Sequence, residues 1–244
     1  MADAQPFVVT VGPVGTADGS SQVRLGGTCV LCGIKAELTT PAVCRPDEGY
    51  LVANVNLSPM CSSSFRTGPP SEEAQSLSQW LHDVWTECEL LDVKQLCISP
   101  GKLCWVLYAD ITCLNYDGSL QQACLAALVT ALRNLRLPSV EISEETQRVV
   151  RSSDLSQPVR LKCIPTAVSF AVESDKMVRS PCREEERIAS ALVNMVAIDQ
   201  ERLCAITKQG GKSINQSILR QCYQQALAHG EEIRRTINEA CSQA

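Results

Sequence analysis

Between residues 96 and 138 the spacing of apolar residues changes from that of a strand to that of a helix. Residues 105–114 are mostly apolar or β-branched and predict a strand, and residues 115–118 predict a turn after it. A helix is predicted over residues 120–135, with Ser119 as its N-cap. Because the polar face of this helix is narrow, we expect it to be buried at the centre of a domain.

The chain before this central helix predicts a sheet with one further helix packed on it. Apolar alternation and β-branched runs predict strands over residues 7–11, 20–25, 28–38 and 51–57. Gly26 and Gly27 predict a tight turn between the second and third strands. Ser71 is predicted to cap a helix, because apolar residues after it recur at three- and four-residue steps.

The pattern changes after Pro138. Residues 139–159 are polar and carry no strong period, so they predict a linker with one short helix at most. Strands are predicted over residues 160–163, 167–173, 191–198 and 203–207, and Ser213 is predicted to cap a long final helix. We therefore expect an α+β protein of two lobes with mixed sheets packed against helices, residues 1–138 and 160–244 joined by the linker 139–159.

Charge limits the functions that the chain can perform alone. The net charge is −5, and it lies entirely within residues 1–138, because residues 139–244 are neutral. A protein that binds nucleic acid alone usually has a basic face, so contact with RNA or DNA is expected to be local or shared with partners.

The cysteines and the beginning of the chain indicate a reducing compartment. The first residues, MADAQPFVVTVG, have neither the basic nor the apolar region of a secretory signal, and no apolar stretch is long enough to span a bilayer. The 14 cysteines are therefore interpreted as small hydrophobic residues. Cys29 and Cys32 form a CxxC, but they lie in a predicted strand and have no second pair, so we expect no metal there.

Motifs of common enzymes are not found in the sequence. It has no Walker loop, no GxGxxG after a strand and no GxSxG elbow. His82 and His229 are both placed on predicted helices and are interpreted as surface or structural residues. The run of Glu184, Glu185 and Glu186 is interpreted as a solvated face. The residues themselves thus name no catalytic, cofactor-binding or metal-binding group.

Four strings nevertheless resemble a known family: ADGSSQVRLGGTCVLCGIKAEL, SSSFRTGPPSEEAQ, LCISPGKLCWVLYADITCLNYDG and TKQGGKSINQSIL. They are similar to the RNase PH-like subunits of the eukaryotic RNA exosome ring. The resemblance implies a two-lobed RNase PH fold and a role as a non-catalytic structural subunit that supports 3′-to-5′ RNA processing and degradation. It implies as partners the other ring subunits, in heterodimers within a hexamer, the RNA-binding cap subunits and RNA. The implied location is the nucleus, the nucleolus and the cytoplasm.

The resemblance also bears on activity. Phosphorolytic members of the family place a phosphate-binding arginine just after the Asp-Gly turn, where this chain has Gln121. They carry two aspartates in the second lobe, and the matching positions here are Ser180 and Glu186. An amide cannot neutralise phosphate, and a neutral hydroxyl can neither hold a divalent cation firmly nor act as a general acid. The site is therefore expected to be inactive and to take no cofactor or metal.

Two functions from other classes remain as alternatives. The chain could be an active phosphate-dependent 3′-to-5′ exoribonuclease, against which Gln121 and Ser180 argue, or a free-standing regulatory binding module. Arg66, in the loop before the first helix, is the one candidate for RNA contact. Relatives have an Arg-Pro-Asp-Gly-Arg-like motif before the first strand, and nothing like it precedes Phe7, so a shorter isoform or an incomplete gene model is expected.

Overall fold

The first lobe is built on a six-stranded sheet. A computed structural model describes residues 5–142, 149–173, 176–199 and 201–243 of the chain. The strands of the first sheet are β1 (Phe7–Val11), β2 (Gly19–Leu25), β3 (Thr28–Thr39), β4 (Tyr50–Leu57), β5 (Cys97–Ser99) and β6 (Leu103–Asn115). Their order is β1-β2-β3-β6-β4, with β5 also paired to β6, and β4 is the one strand parallel to its neighbour β6.

Two helices complete the first lobe. Helix α1 (Glu72–Glu87) packs on β4, where the Ser78 hydroxyl accepts a hydrogen bond of 2.9 Å from the backbone N–H of Val55. Ser71 caps this helix as the sequence predicts, since its hydroxyl accepts from the N–H of Ala74 at 3.2 Å. A short 3-10 helix (Val93–Leu96) precedes β5.

Helix α2 (Leu120–Asn134) lies at the centre of the molecule, which confirms the predicted buried helix. Every residue from Gln122 to Leu132 is buried, because β2 and β3 cover one side of the helix and the second lobe covers the other. Such burial on all sides requires the nearly unbroken apolar sequence of the helix.

The second lobe has a four-stranded antiparallel sheet in the order β10-β9-β11-β12. Its strands are β9 (Thr166–Glu173), β10 (Lys176–Arg179), β11 (Ala191–Ala197) and β12 (Leu203–Gln209). A short helix, α3 (Arg183–Ile188), joins β10 to β11, and the long helix α4 (Gln216–Gln243) packs on β9, β11 and α2. The two sheets and their helices confirm the predicted α+β class.

Three predictions about local structure are wrong. The described residues of the segment 139–159 form strands rather than a linker with one short helix at most, because β7 (Arg136–Ile142) pairs with β8 (Val149–Pro158) in a two-stranded sheet. The two strands pair through main-chain hydrogen bonds, which require no apolar alternation. The sequence pattern therefore did not predict them. Residues 160–163 form only an isolated bridge between Leu161 and Leu91. Helix α4 begins at Gln216, and not directly after Ser213. The boundaries 1–138, 139–159 and 160–244 stay a prediction for the domain division.

Two further expectations concern membrane-spanning segments and the cysteines. None of the helices within residues 5–142, 149–173, 176–199 and 201–243 is both long and apolar enough to cross a membrane. All 14 cysteines are free thiols. Burial, together with the charge of Asp110, raises the pKa of Cys32 well above its usual range, so this member of the CxxC is a protonated, buried thiol in β3.

Candidate functional site

A cavity of about 490 Å³ opens where the two lobes meet. It is bounded by the start of α1, the turn and first residues of α2, strands β9, β11 and β12, and helix α3. Its lining residues are Glu72, Glu73, Ser76, Leu77, Tyr116, Ser119, Leu120, Gln121, Ser169, Phe170, Glu186, Leu192, Asn194 and Gln209. Both lobes thus contribute to a single site.

The turn between β6 and α2 brings the second lobe close to the first. Gly118 has φ +88°, and the backbone of residues 181–183 lies directly against its α-carbon. Thr28 secures the turn, since its hydroxyl donates to the Gly118 carbonyl at 2.7 Å and accepts from the Asp117 N–H at 2.9 Å. A glycine meets both requirements of this position, a positive φ and close approach of another backbone.

Ser119 occupies the predicted N-cap position but does not cap the helix with its side chain. Its backbone has φ +49°, and its hydroxyl donates instead to the carbonyl of Pro181 in the second lobe at 2.9 Å. The residue therefore joins the lobes.

Glu186 is the acidic residue that faces the cavity from the second lobe. Its carboxylate accepts from the N–H of Ser119 at 2.7 Å and from the hydroxyl of Tyr116 at 3.2 Å. Burial raises the pKa of Glu186 above its usual range, although the two hydrogen bonds oppose the shift. The interpretation of residues 184–186 as a solvated face is thus wrong for Glu186, because the turn of α3 directs this one carboxylate inward.

Ser180 does not line the cavity. It is 3% exposed with φ +47°, and its hydroxyl donates to the side-chain oxygen of Gln122 at 3.1 Å. The same oxygen accepts the N–H of Ser169 at 3.3 Å. The structure therefore brings Gln121 and Glu186 into one site and places Ser180 behind it, in a buried amide–hydroxyl cluster.

Two polar atoms at the cavity lack a partner. The side-chain oxygen of Gln121 and the hydroxyl of Ser169 are both shielded from solvent, and neither has a hydrogen bond. Ser169 is 4% exposed. Buried polar atoms without a protein partner are uncommon in folded proteins, so both atoms are available to a ligand that enters the cavity.

Arg183, which no pattern in the sequence singles out, also belongs to this region. Its guanidinium donates to Ser62 at 2.6 Å and to Ser64 at 3.0 Å, and its Cζ lies 5.1 Å from the centre of the Tyr116 ring. The one available signal was a basic residue at the start of the acidic run REEE. Arg66 lies two residues after Ser64, is exposed and does not line the cavity.

A second, larger cavity of about 890 Å³ lies between the outer edge of β4 and helix α1. His82 lines it and contacts Trp85 edge-on, with ring centres 5.2 Å apart. His229 is elsewhere, buried in α4 with its ring 2.7 Å from Glu232. The second cavity contains neither Gln121 nor Glu186, so the cavity between the lobes is the better candidate site.

Comparison with known proteins gives consistent results. The first domain of the 3′ exoribonuclease (RNase PH) family matches residues 3–138, and the second domain matches residues 163–229. The chain is 38% identical to the exosome complex component rrp43 of Schizosaccharomyces pombe, over 93% of this chain and 84% of that protein. It is 32% identical to the exosome complex component Rrp42 of Methanopyrus kandleri, over 96% of this chain and 86% of that protein.

Solved structures show the same fold. A chain of the Archaeoglobus fulgidus exosome, determined with RNA bound to the active site, superposes with a TM-score of 0.84 at 24% identity, over 95% of this chain and 87% of that one. Rice Rrp46 superposes with a TM-score of 0.73 at 16% identity, over 98% and 96% of the two chains.

Proposed function

This chain belongs to the RNase PH family of 3′ exoribonucleases, and we propose that within the family it is a non-catalytic structural subunit of the RNA exosome ring. The relatives compared above are named as exosome complex components. In this role the chain supports 3′-to-5′ RNA processing and degradation by forming part of the wall of the RNA channel. The chemistry is then carried out by another subunit.

The lack of a basic side chain among the described residues that line the cavity between the lobes carries the non-catalytic assignment. Phosphorolysis requires positive groups that bind and neutralise inorganic phosphate. Gln121 stands where the family resemblance places an arginine. Among the residues that the structure describes, those lining the cavity include three glutamates and neither lysine nor arginine. Phosphate in this cavity would meet negative charge with no counter-charge from the lining.

The second-lobe residues also fit a divalent cation poorly. Of the two positions where the resemblance places aspartates, Ser180 is bonded to Gln122 and lies outside the cavity. Glu186 uses its carboxylate to hold the Ser119 N–H and the Tyr116 hydroxyl. Hard cations need several free oxygen ligands, so these residues do not form a magnesium site. Their role is to join the lobes.

The proposed partners are the other RNase PH-like ring subunits, the RNA-binding cap subunits and RNA. The outermost strands of both sheets expose apolar side chains, among them Val8 (53% exposed), Val52 (44%) and Ile206 (52%). Exposed edge strands invite pairing with other chains, and neighbouring subunits would cover them. As an exosome subunit the chain would act in the nucleus, including the nucleolus, and in the cytoplasm.

Activity is tested by incubating the purified chain with single-stranded RNA, Mg²⁺ and inorganic phosphate. We expect no release of nucleoside diphosphates, because no described residue that lines the cavity replaces the phosphate-binding arginine. A phosphate-dependent product that disappears in the Glu186→Ala variant would show that the chain is an active exoribonuclease and would refute the assignment.

We further propose that Arg66 contacts RNA from the loop before α1. Its support is that the side chain is exposed next to Ser64, which holds Arg183. In a reconstituted ring, Arg66→Ala should reduce crosslinking of this chain to RNA, whereas Arg220→Ala, at an exposed arginine on α4, should not. Equal crosslinking by the two variants would refute the proposed contact between Arg66 and RNA.

A further inference from the structure

The cavity between the lobes is complementary to a cation rather than to phosphate. Glu73 and Glu72 enter it from the first turn of α1, and Glu186 enters it from α3. Within the described part of the chain, no lysine or arginine lines the cavity, and the nearby cation Arg183 is bound to Ser62 and Ser64. A cavity that is lined by carboxylates and has Gln121 where the family resemblance places an arginine favours ligands of positive charge.

The neutral polar atoms of the cavity indicate the same preference. The Gln121 side-chain oxygen accepts hydrogen bonds only, and the Ser169 hydroxyl accepts as well as donates. Both lie shielded from solvent with no partner. A ligand with several N–H donors would supply the donors that these two atoms lack, beside the carboxylates of Glu72 and Glu73. Phosphate, which carries mainly acceptors, would leave the Gln121 oxygen unsatisfied.

We propose that this cavity receives the guanidinium group of an arginine side chain from a partner protein. The group has five N–H donors in a planar fork and no acceptor, which suits acceptors contributed by several elements. The face of the Tyr116 ring is not available for stacking, because the guanidinium of Arg183 already lies against it, so the carboxylates and the unpartnered polar atoms are the groups that would hold the ligand. The inference rests on the proposed function and deepens it. A cavity that has no catalytic function would instead bind a side chain of a neighbouring protein in the ring.

Binding is tested by nuclear magnetic resonance on the isotope-labelled chain, with N-acetyl-arginine amide as the probe. Titration should produce saturable shifts in the backbone amides of Ser119, Gln121 and Ser169. N-acetyl-citrulline amide has nearly the same shape without the charge, and inorganic phosphate has the opposite charge. Neither should produce these shifts. Spermidine tests whether a free polyamine is the better ligand.

Two variants test the mechanism. Gln121→Arg replaces an acceptor with a cation and should abolish binding of the arginine probe. Glu73→Gln should weaken it about two- to fivefold, the usual range for one exposed charge pair. The matched control is Glu87→Gln, which removes an exposed carboxylate from the last turn of the same helix, outside the cavity, and should change nothing.

Each contrary outcome overturns a defined part of the proposal. Equal binding of the citrulline probe would show that charge does not select the ligand. Binding of phosphate in place of the arginine probe would show that the cavity is an anion site, and binding of Mg²⁺ would show that it is a metal site. Tighter binding of spermidine would exclude a protein partner as the occupant. If the arginine probe fails to bind while RNA and phosphate still give no nucleoside diphosphate, the docking inference alone is refuted.

Discussion

Replacing Gly118 with alanine tests the junction between the lobes. The added Cβ would lie 2.6 Å from the carbonyl carbon of Cys182 and 2.8 Å from the backbone nitrogen of Arg183, and it would lie closer still to the carbonyl oxygen of Pro181. These are backbone atoms that cannot rotate away. The variant would therefore have to separate the two lobes or distort the turn that begins α2.

The cost has two parts. Alanine at φ +88° loses roughly 1–2 kcal/mol relative to glycine, because the left-handed region is unfavourable for residues with a Cβ. Overpacking against fixed atoms adds roughly 1–3 kcal/mol. The sum, about 2–5 kcal/mol, is a large part of the stability of an ordinary domain and corresponds to a fall in Tm of about 4–20 °C.

Two other glycines separate these contributions. Gly101 has φ +72° with nothing within 4 Å of an added Cβ, so Gly101→Ala should show only the backbone cost. Gly211 has neither a positive φ nor a neighbour within 4 Å, so Gly211→Ala should leave Tm unchanged. Thermal unfolding followed by circular dichroism gives all three values. If Gly118→Ala unfolds at the same temperature as Gly101→Ala, the close approach of the lobes at this turn is wrong.

Three further predictions concern stability. Leu128 is fully buried in α2, so Leu128→Asp should lower the free energy of unfolding by on the order of 3–5 kcal/mol and give insoluble protein. A soluble variant with unchanged Tm would contradict the burial of this helix. Ser71→Ala should cost about 0.5–2 kcal/mol in denaturant unfolding because the cap of α1 is lost, and no change would show that the cap is dispensable. Burial lowers the pKa of His229 below 6.5, and the charge of Arg179 adds to this shift. The hydrogen bond to Glu232 opposes it but does not cancel it. The unfolded chain therefore takes up this proton first, so Tm should fall as pH decreases below 6.5, and His229→Gln should remove that part of the fall. An unchanged pH profile in the variant would exclude His229 as the cause.

The elements that bury a continuous or periodic apolar face were predictable from the sequence. Helix α2 is apolar on nearly all sides, and strand β4 alternates regularly, so both were found close to their observed bounds. The ribbon of β7 and β8 was missed, since its polar sequence gives no signal of a buried face. A strand is therefore predictable when it buries an apolar face of side chains. A strand held mainly by main-chain hydrogen bonds is not.

The contacts of the candidate site could be predicted only in part. Family resemblance singled out Gln121, Ser180 and Glu186, and the structure brings the first and the last of these to one cavity. Ser180 lies outside it because its positive φ directs the hydroxyl to Gln122. The bond from Arg183 to Ser62 joins residues 121 positions apart, and neither residue type signals such a contact.

Assembly is the measurement that tests the structural role most directly. We expect the chain, co-expressed with the other RNase PH-like ring subunits in turn, to form a heterodimer with one of them, whose mass is read by light scattering after size exclusion. The interface should exceed about 1,000 Å² and survive dilution through the column. A monomer of 26.5 kDa that binds none of the ring subunits would contradict the assignment.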